Sequence, residues 1–209
     1  MGGRMVTAIA SSRGFSSIEL LVSSVISMIV LSIVSSLFLS SQSQATKRIK
    51  QLVLQQSVTG LLMQIKRDIQ RAGYDRSNDV RVVLNGSQLP VESTANSLAY
   101  AYRIDTGGDE AFQNVGYFYD ADSVSTIKIC EKTSPEPLTF QQTITSGFSG
   151  YCYSVFDSNV IQVDGFQFSS ESIQITEFSS QLHSIQINAS LIEQSSITIS
   201  AFSTLLQRN

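Results

Sequence analysis

The distribution of apolar residues divides this chain into three stretches, and the first contains a continuous apolar run. From position 20 to 39 the residues are Leu, Val, Ile, Met, Phe and Ser, with no charge and no proline. A hydrocarbon core about 30 Å thick takes roughly 20 such residues as helix. A lone segment in lipid must be helical, because only a helix satisfies its backbone internally. The pattern then turns amphipathic. Leu54, Val58, Leu61, Leu62, Ile65 and Ile69 fall on one face of a 3.6-residue period, while Lys47, Gln51, Gln55, Lys66 and Gln70 cover much of the remainder. That apolar stripe predicts packing against a sheet. Gly60 costs such a helix about 1 kcal/mol relative to Ala and would permit a bend. Arg67 and Arg71 suit a last turn, and Gly73 suits the position just beyond it. One helix is predicted over 15–73, about 88 Å long at 1.5 Å per residue.

Past Tyr74 the pattern becomes β. After a polar loop at 75–79, strands are predicted at 80–84, 97–104, 115–119, 124–130, 151–156, 160–168, 172–178, 182–193 and 197–205. Asn85-Gly86, Thr106-Gly107-Gly108-Asp109 and Asp120-Ala121-Asp122 supply turns between them. The region 133–150, with Pro135, Pro137 and two glycines, reads as a loop. Strict alternation in Ser172-Ile173-Gln174-Ile175-Thr176 and in residues 183–188 marks half-buried antiparallel strands. With no repeat and no linker, 74–209 is predicted to be one β-rich head. The expected class is α+β: a long N-terminal helix, apolar in its first half and amphipathic in its second, packed on an antiparallel sheet.

Charge is segregated along the chain. The net −3 of all 209 residues hides +5 over 40–73, where six bases face Asp68 alone, and −9 over 74–209, where fifteen acids meet six bases. An acidic head argues against direct nucleic-acid binding. The basic helix is either a solvated face or a surface that meets the acidic faces of neighbouring subunits.

Candidate chemistry is sparse. His183 is the only histidine and lies in an alternating strand, which makes it a solvent-facing or internally satisfied sheet residue. No nucleophile elbow and no carboxylate cluster accompany it, so neither catalysis nor a metal or other cofactor is expected. Asp105 to Glu110 reads as a turn with a secondary possibility of calcium, although it fits no EF-hand spacing. Asn188-Ala189-Ser190 matches a glycosylation sequon but falls inside a strand. Cys130 and Cys152 are the two cysteines, and outside the cytoplasm a disulfide between them is the default.

One acid stands at the lip of the apolar run. Glu19 lies four residues after Phe15, behind a short leader that carries Arg4 and Arg13 but no acid. The leader has no apolar stretch of its own, unlike a secretory signal, so the apolar run would stay in the mature protein. A carboxylate in an apolar helix costs about 2.5–3.5 kcal/mol at the bilayer centre and less near the interface. It is either wetted by headgroups or offset by a partner. The serines at 23, 24, 27, 32, 35 and 36 recur at roughly helical spacing. They form either a close-packing face or hydroxyls bonded back to the preceding turn.

Gly14-Phe15-Ser16-Ser17-Ile18-Glu19-Leu20 resembles the processing site of type IV prepilins. Phe38-Leu39-Ser40-Ser41-Gln42, Arg67-Asp68-Ile69-Gln70-Arg71-Ala72-Gly73-Tyr74 and Leu206-Gln207-Arg208-Asn209 resemble the PilW/PpdB group of minor pilins. The resemblance implies a prepilin leader at 1–14, a transmembrane helix at 15–39, the periplasmic half of the helix at 40–73 and a pilin-like head at 74–209. It implies cleavage after Gly14 by a membrane aspartyl prepilin peptidase, and N-methylation of Phe15. It also implies pairing of Glu19 with the first-residue amine of an adjacent subunit. Positive charge flanks the run on both sides and does not orient it; the resemblance places the leader in the cytoplasm and the C-terminus in the periplasm. The implied partners are the peptidase, other minor pilins, the major pilin, the inner-membrane assembly platform and membrane lipid. The implied role is to prime pilus assembly from the inner membrane and then to stay at the tip. Major pilins usually carry a proline where Ser36 stands, which favours a minor subunit. A minor pseudopilin of the type II secretion system, similar to its J-type subunit, has the same architecture. A membrane-anchored periplasmic binding or adhesion domain would require neither Gly14-Phe15 nor Glu19.

Overall fold

The computed structural model describes residues 16–75, 81–105, 110–121, 124–146, 152–175 and 178–207. The predicted leader, Gly14 and Phe15 lie outside the described residues, as do positions 106–109 of the candidate calcium turn and the last two residues of the chain. The chain divides into two compact units, Met1–Arg48 and Ile49–Asn209, and the boundary falls inside the first helix.

Helix α1 runs over Ser17–Arg71. In the first unit it buries none of its apolar run. In the second unit its buried residues are Leu54, Val58, Leu61, Leu62, Ile65 and Ile69, the six that the periodicity places on one face. After Arg71 the chain leaves the helix through Gly73, whose φ of +79° lies in the left-handed region that glycine enters at no steric cost. The Gly73 N–H is not returned to the helix but goes to the carbonyl of Ala101 at 2.9 Å. Two residues on, the Arg103 N–H donates to the Tyr74 carbonyl, and the Arg103 guanidinium pairs with Asp75 at 3.2 Å, both side chains largely buried. The helix end is therefore fastened to a strand.

Among the described residues eight strands form two antiparallel sheets. The first has the order β1(Val91–Ser93), β2(Ser97–Asp105), β3(Glu110–Asp120), β4(Thr126–Ser134) and β5(Tyr153–Ser154). The second is a meander of three longer strands, β6(Ile161–Ile175), β7(Phe178–Leu191) and β8(Gln194–Gln207). One core joins the α1 stripe to Leu98, Tyr100, Val115, Tyr117, Ile127 and Ile129 of the first sheet and to Val163, Phe166, Ile185 and Ile187 of the second. The Val163 and Phe168 N–H groups of β6 donate to the carbonyls of Ser125 and Ala95, which ties the second sheet to the ends of the first.

The opposite face of the first sheet has its own small core, where Ala99 and Ala101 pack with Val82 and Leu84. The stretch 81–84 is thus not the strand its alternation suggests. It lies over a sheet face, held by a bond from the Val82 N–H to the Gly73 carbonyl, and burial across a face leaves the same alternating pattern as pairing at an edge. The predicted loop at 133–150 likewise contains a helix, α2(Phe140–Ser146). Thr139 and Gln142 start it as a capping box: the Thr139 N–H donates to Gln142 Oε1 and the Gln142 N–H to Thr139 Oγ1. At Gly116 a Cβ would stand 3.2–3.3 Å from Ile144 and the Thr143 carbonyl, so α2 rests directly on bare backbone there. The predicted break between 168 and 172 is absent, because β6 continues through it, with Ser169 opposite Ser184 and Ser170 opposite His183.

Cys130, buried in β4, is bonded to Cys152, closing a loop that contains α2. A crosslink over 22 residues removes chain entropy worth about 3 kcal/mol from the unfolded state. Reduction, or the double substitution C130S/C152S, is therefore expected to lower the melting temperature by about 6–12 °C for a unit of this size. Thermal unfolding with and without reductant measures it, and an unchanged transition would remove the disulfide from the account of stability.

Candidate membrane anchor and assembly site

Ser16 precedes α1 and its carbonyl accepts from the N–H groups of Glu19 at 2.9 Å and Leu20 at 3.3 Å. Ser16 and Glu19 have the spacing of a capping box, a local signal that the sequence reading missed. An acid in a first turn also faces the positive end of the helix dipole. Glu19 is exposed, and among the described residues no cation stands beside it.

From Leu20 to Leu39 the helix carries only apolar and hydroxyl side chains. Ile18, Leu20, Leu21, Met28, Leu31, Leu37, Phe38 and Leu39 are each more than 60% exposed. No residue in the most apolar part of the run is buried. By length and composition this helix can cross a membrane. The hydroxyls of Ser23, Ser24, Ser27, Ser32, Ser35 and Ser36 each donate to a carbonyl three or four residues earlier, so none is left bare in an apolar surrounding. Back-bonding accounts for these serines within a single chain, and their small size leaves the helix surface open to close approach.

In the second unit α1 joins the first sheet through a polar seam. Tyr117 Oη donates to Asp68 Oδ2 at 2.5 Å, and Gln64 Nε2 donates to the same phenol at 3.2 Å. Arg71 sits 5.3 Å above the Tyr102 ring, whose hydroxyl raises the guanidinium pKa, and Asp68 raises it further. Burial, then the nearby Asp68 carboxylate, pushes the phenols of Tyr117 and Tyr100 well above their ordinary range. The seam holds a helix to a sheet; Asp68 is the lone acid of the basic helical stretch, and its role depends on a partner 49 positions away. Lys50 also finds an acid within the unit, pairing with Glu193 in the β7–β8 turn at 3.0 Å.

His183 is fully buried in β7. Its Nε2 meets Gln207 Oε1 at 2.9 Å and its ring lies 5.5 Å from that of Phe168, while burial lowers its pKa. The residue lies in a strand as expected, but it is not solvent-facing, and it is satisfied at Nε2 only: Nδ1 has no partner among the described residues. Asn188 lies mid-strand, opposite Gly165 and Ser200. Among the described residues no group of three or more His, Cys, Asp or Glu is placed to hold a metal.

Together these features define a class: a chain with an N-terminal membrane-capable helix whose amphipathic end enters the core of an α+β unit. The family model described as "Prepilin peptidase-dependent protein B" (PpdB) matches residues 47–206, more than half of the chain. The chain belongs to that family, and is a prepilin peptidase-dependent, pilin-like protein. No curated protein and no solved structure matches it. The family match begins after the apolar run, so it is independent of the motif at residues 14–20.

The seam has a pH signature. A phenol held above its ordinary pKa of 10.0 in the folded state binds its proton more tightly folded than unfolded. Its stabilising contribution is complete below pH 10 and is lost as pH rises past it. The melting temperature is expected to be level from pH 7 to 9 and to fall above 10. Tyr117→Phe is expected to cost about 1–3 kcal/mol at neutral pH and to make the alkaline fall shallower. An alkaline profile identical in both proteins would contradict the assignment.

Proposed function

We propose that this chain is a minor pilin that is cleaved after Gly14, methylated at Phe15 and anchored in the bacterial inner membrane with its head in the periplasm. There it joins other minor pilins on the assembly platform, primes polymerisation of the major pilin and stays at the pilus tip. Its work is structural rather than catalytic. The observation that carries this reading is Glu19, an exposed carboxylate in the first turn of a helix that can cross a membrane, with no cation of its own among the described residues. The exposed amine of a processed neighbour supplies the missing partner, and the pairing sets the register of the incoming subunit. Membership of a prepilin peptidase-dependent family supports the processing step from a different part of the sequence.

Separate substitutions test the two steps. Gly14→Ala is expected to block cleavage, so that the leader stays attached and surface pili are lost. Glu19→Ala is expected to leave cleavage intact. A charge-assisted bond contributes about 1.5–3 kcal/mol, so its loss lowers incorporation roughly tenfold or more. Pilus counts by electron microscopy, with immunoblots of processed and unprocessed chain, read both. If both variants leave surface pili unchanged, the proposal fails; a loss of protein secretion in their place would assign the chain to a type II secretion filament.

A further inference from the structure

Sheet edges expose rows of unpaired N–H and C=O groups, and proteins blunt them with short strands, charges or cover. Three of the four edges here are protected in that way. In the first sheet β1 has three residues, one of them Glu92, and β5 has two. In the second sheet the free side of β6 donates backbone bonds to Ser125 and Ala95, and the strand carries the exposed acids Asp164 and Glu171. The fourth edge is β8, and among the described residues it has none of these protections. Its 14 residues, QSSITISAFSTLLQ, contain no charge, no proline and no glycine, and among the described residues only β7 pairs with it. On its outer face Thr198, Ser200, Phe202, Thr204 and Leu206 are exposed, Phe202 by 65%. On its inner face Ile199 and Ala201 are only partly buried at the margin of the main core.

We infer that the free edge of β8 takes an added strand from a different pilin-like subunit, an inference that rests on the assembly reading above. The chemistry of that strand follows from β8. It is neutral, because a charge set against this edge would be desolvated without a partner. It carries apolar side chains four residues apart, opposite Phe202 and Leu206, and small or hydroxyl side chains between them. Its other face is aliphatic and closes the core margin at Ile199 and Ala201. Charge argues for a different subunit over a second copy: two copies would bring together two heads that each carry −9 over residues 74–209, whereas a less acidic neighbour meets no such repulsion.

The test uses the full-length chain in its own membrane, with a photo-crosslinking phenylalanine analogue at position 200 or 204. Adducts to one other pilin-like subunit, mapped by mass spectrometry to a neutral extended segment, are expected. Phe202→Lys is expected to abolish them while leaving the melting temperature unchanged. Adducts only to a second copy would overturn the inference. So would an absence of β8 adducts while other subunits still copurify, and in that case the assembly reading stands. If no subunit copurifies at all, the assembly reading fails and this inference fails with it.

Discussion

Twenty consecutive uncharged residues, exposed over their whole length, cannot remain in water. Burial of each large aliphatic side chain is worth about 1.5–3 kcal/mol, and the first unit of this chain buries none of the large side chains between 20 and 39. A bilayer would supply that burial, and the helix is long and apolar enough to cross one. That requirement explains the sequence on either side of the run. The serines bond back into their own helix, so that no hydroxyl is stranded. The one carboxylate sits at the first turn, where the helix dipole lowers the cost of its charge, as a membrane interface would.

The same helix changes environment without changing secondary structure. Between Leu54 and Ile69 the apolar residues no longer surround it but line one face, and they are buried against two sheets. The Asp68–Tyr117 bond adds direction to that contact, because a slide of the helix by one turn, about 5.4 Å, would keep an apolar face against the sheets but separate the carboxylate from the phenol. Tyr74, Asp75 and Arg103 then fix where the chain leaves the helix. Of the bases on the helical stretch, Lys50 and Arg71 are engaged within the unit, with Glu193 and Tyr102. Both readings of the basic face survive for the remainder, in a narrower form.

What could be read in advance was what depends on near neighbours in sequence. Helical period identified all six buried residues of α1, and Gly73 marked its end. Alternation located the long strands of the second sheet. Features that depend on distant partners were not legible. Val82 and Leu84 alternate like a strand, yet they cover a sheet face whose position was unknown. The gap predicted between 168 and 172 arises because nothing local indicates that Ser184 and His183 lie opposite Ser169 and Ser170. Helix α2 did leave a local trace, Thr139 and Gln142, which was outweighed by Pro135 and Pro137. At the candidate site, Glu19 and the residues before it were legible as a motif, whereas the open edge of β8 emerges only when the strand order is known.

The central claim is that the apolar helix begins, in the mature protein, at a newly made amine that a neighbour's Glu19 can engage. The intact mass of the chain isolated from its native membrane tests this most directly. The account predicts a chain that starts at Phe15 and is heavier by one methyl group. A chain that still begins at Met1, with no other subunit bound, would contradict it.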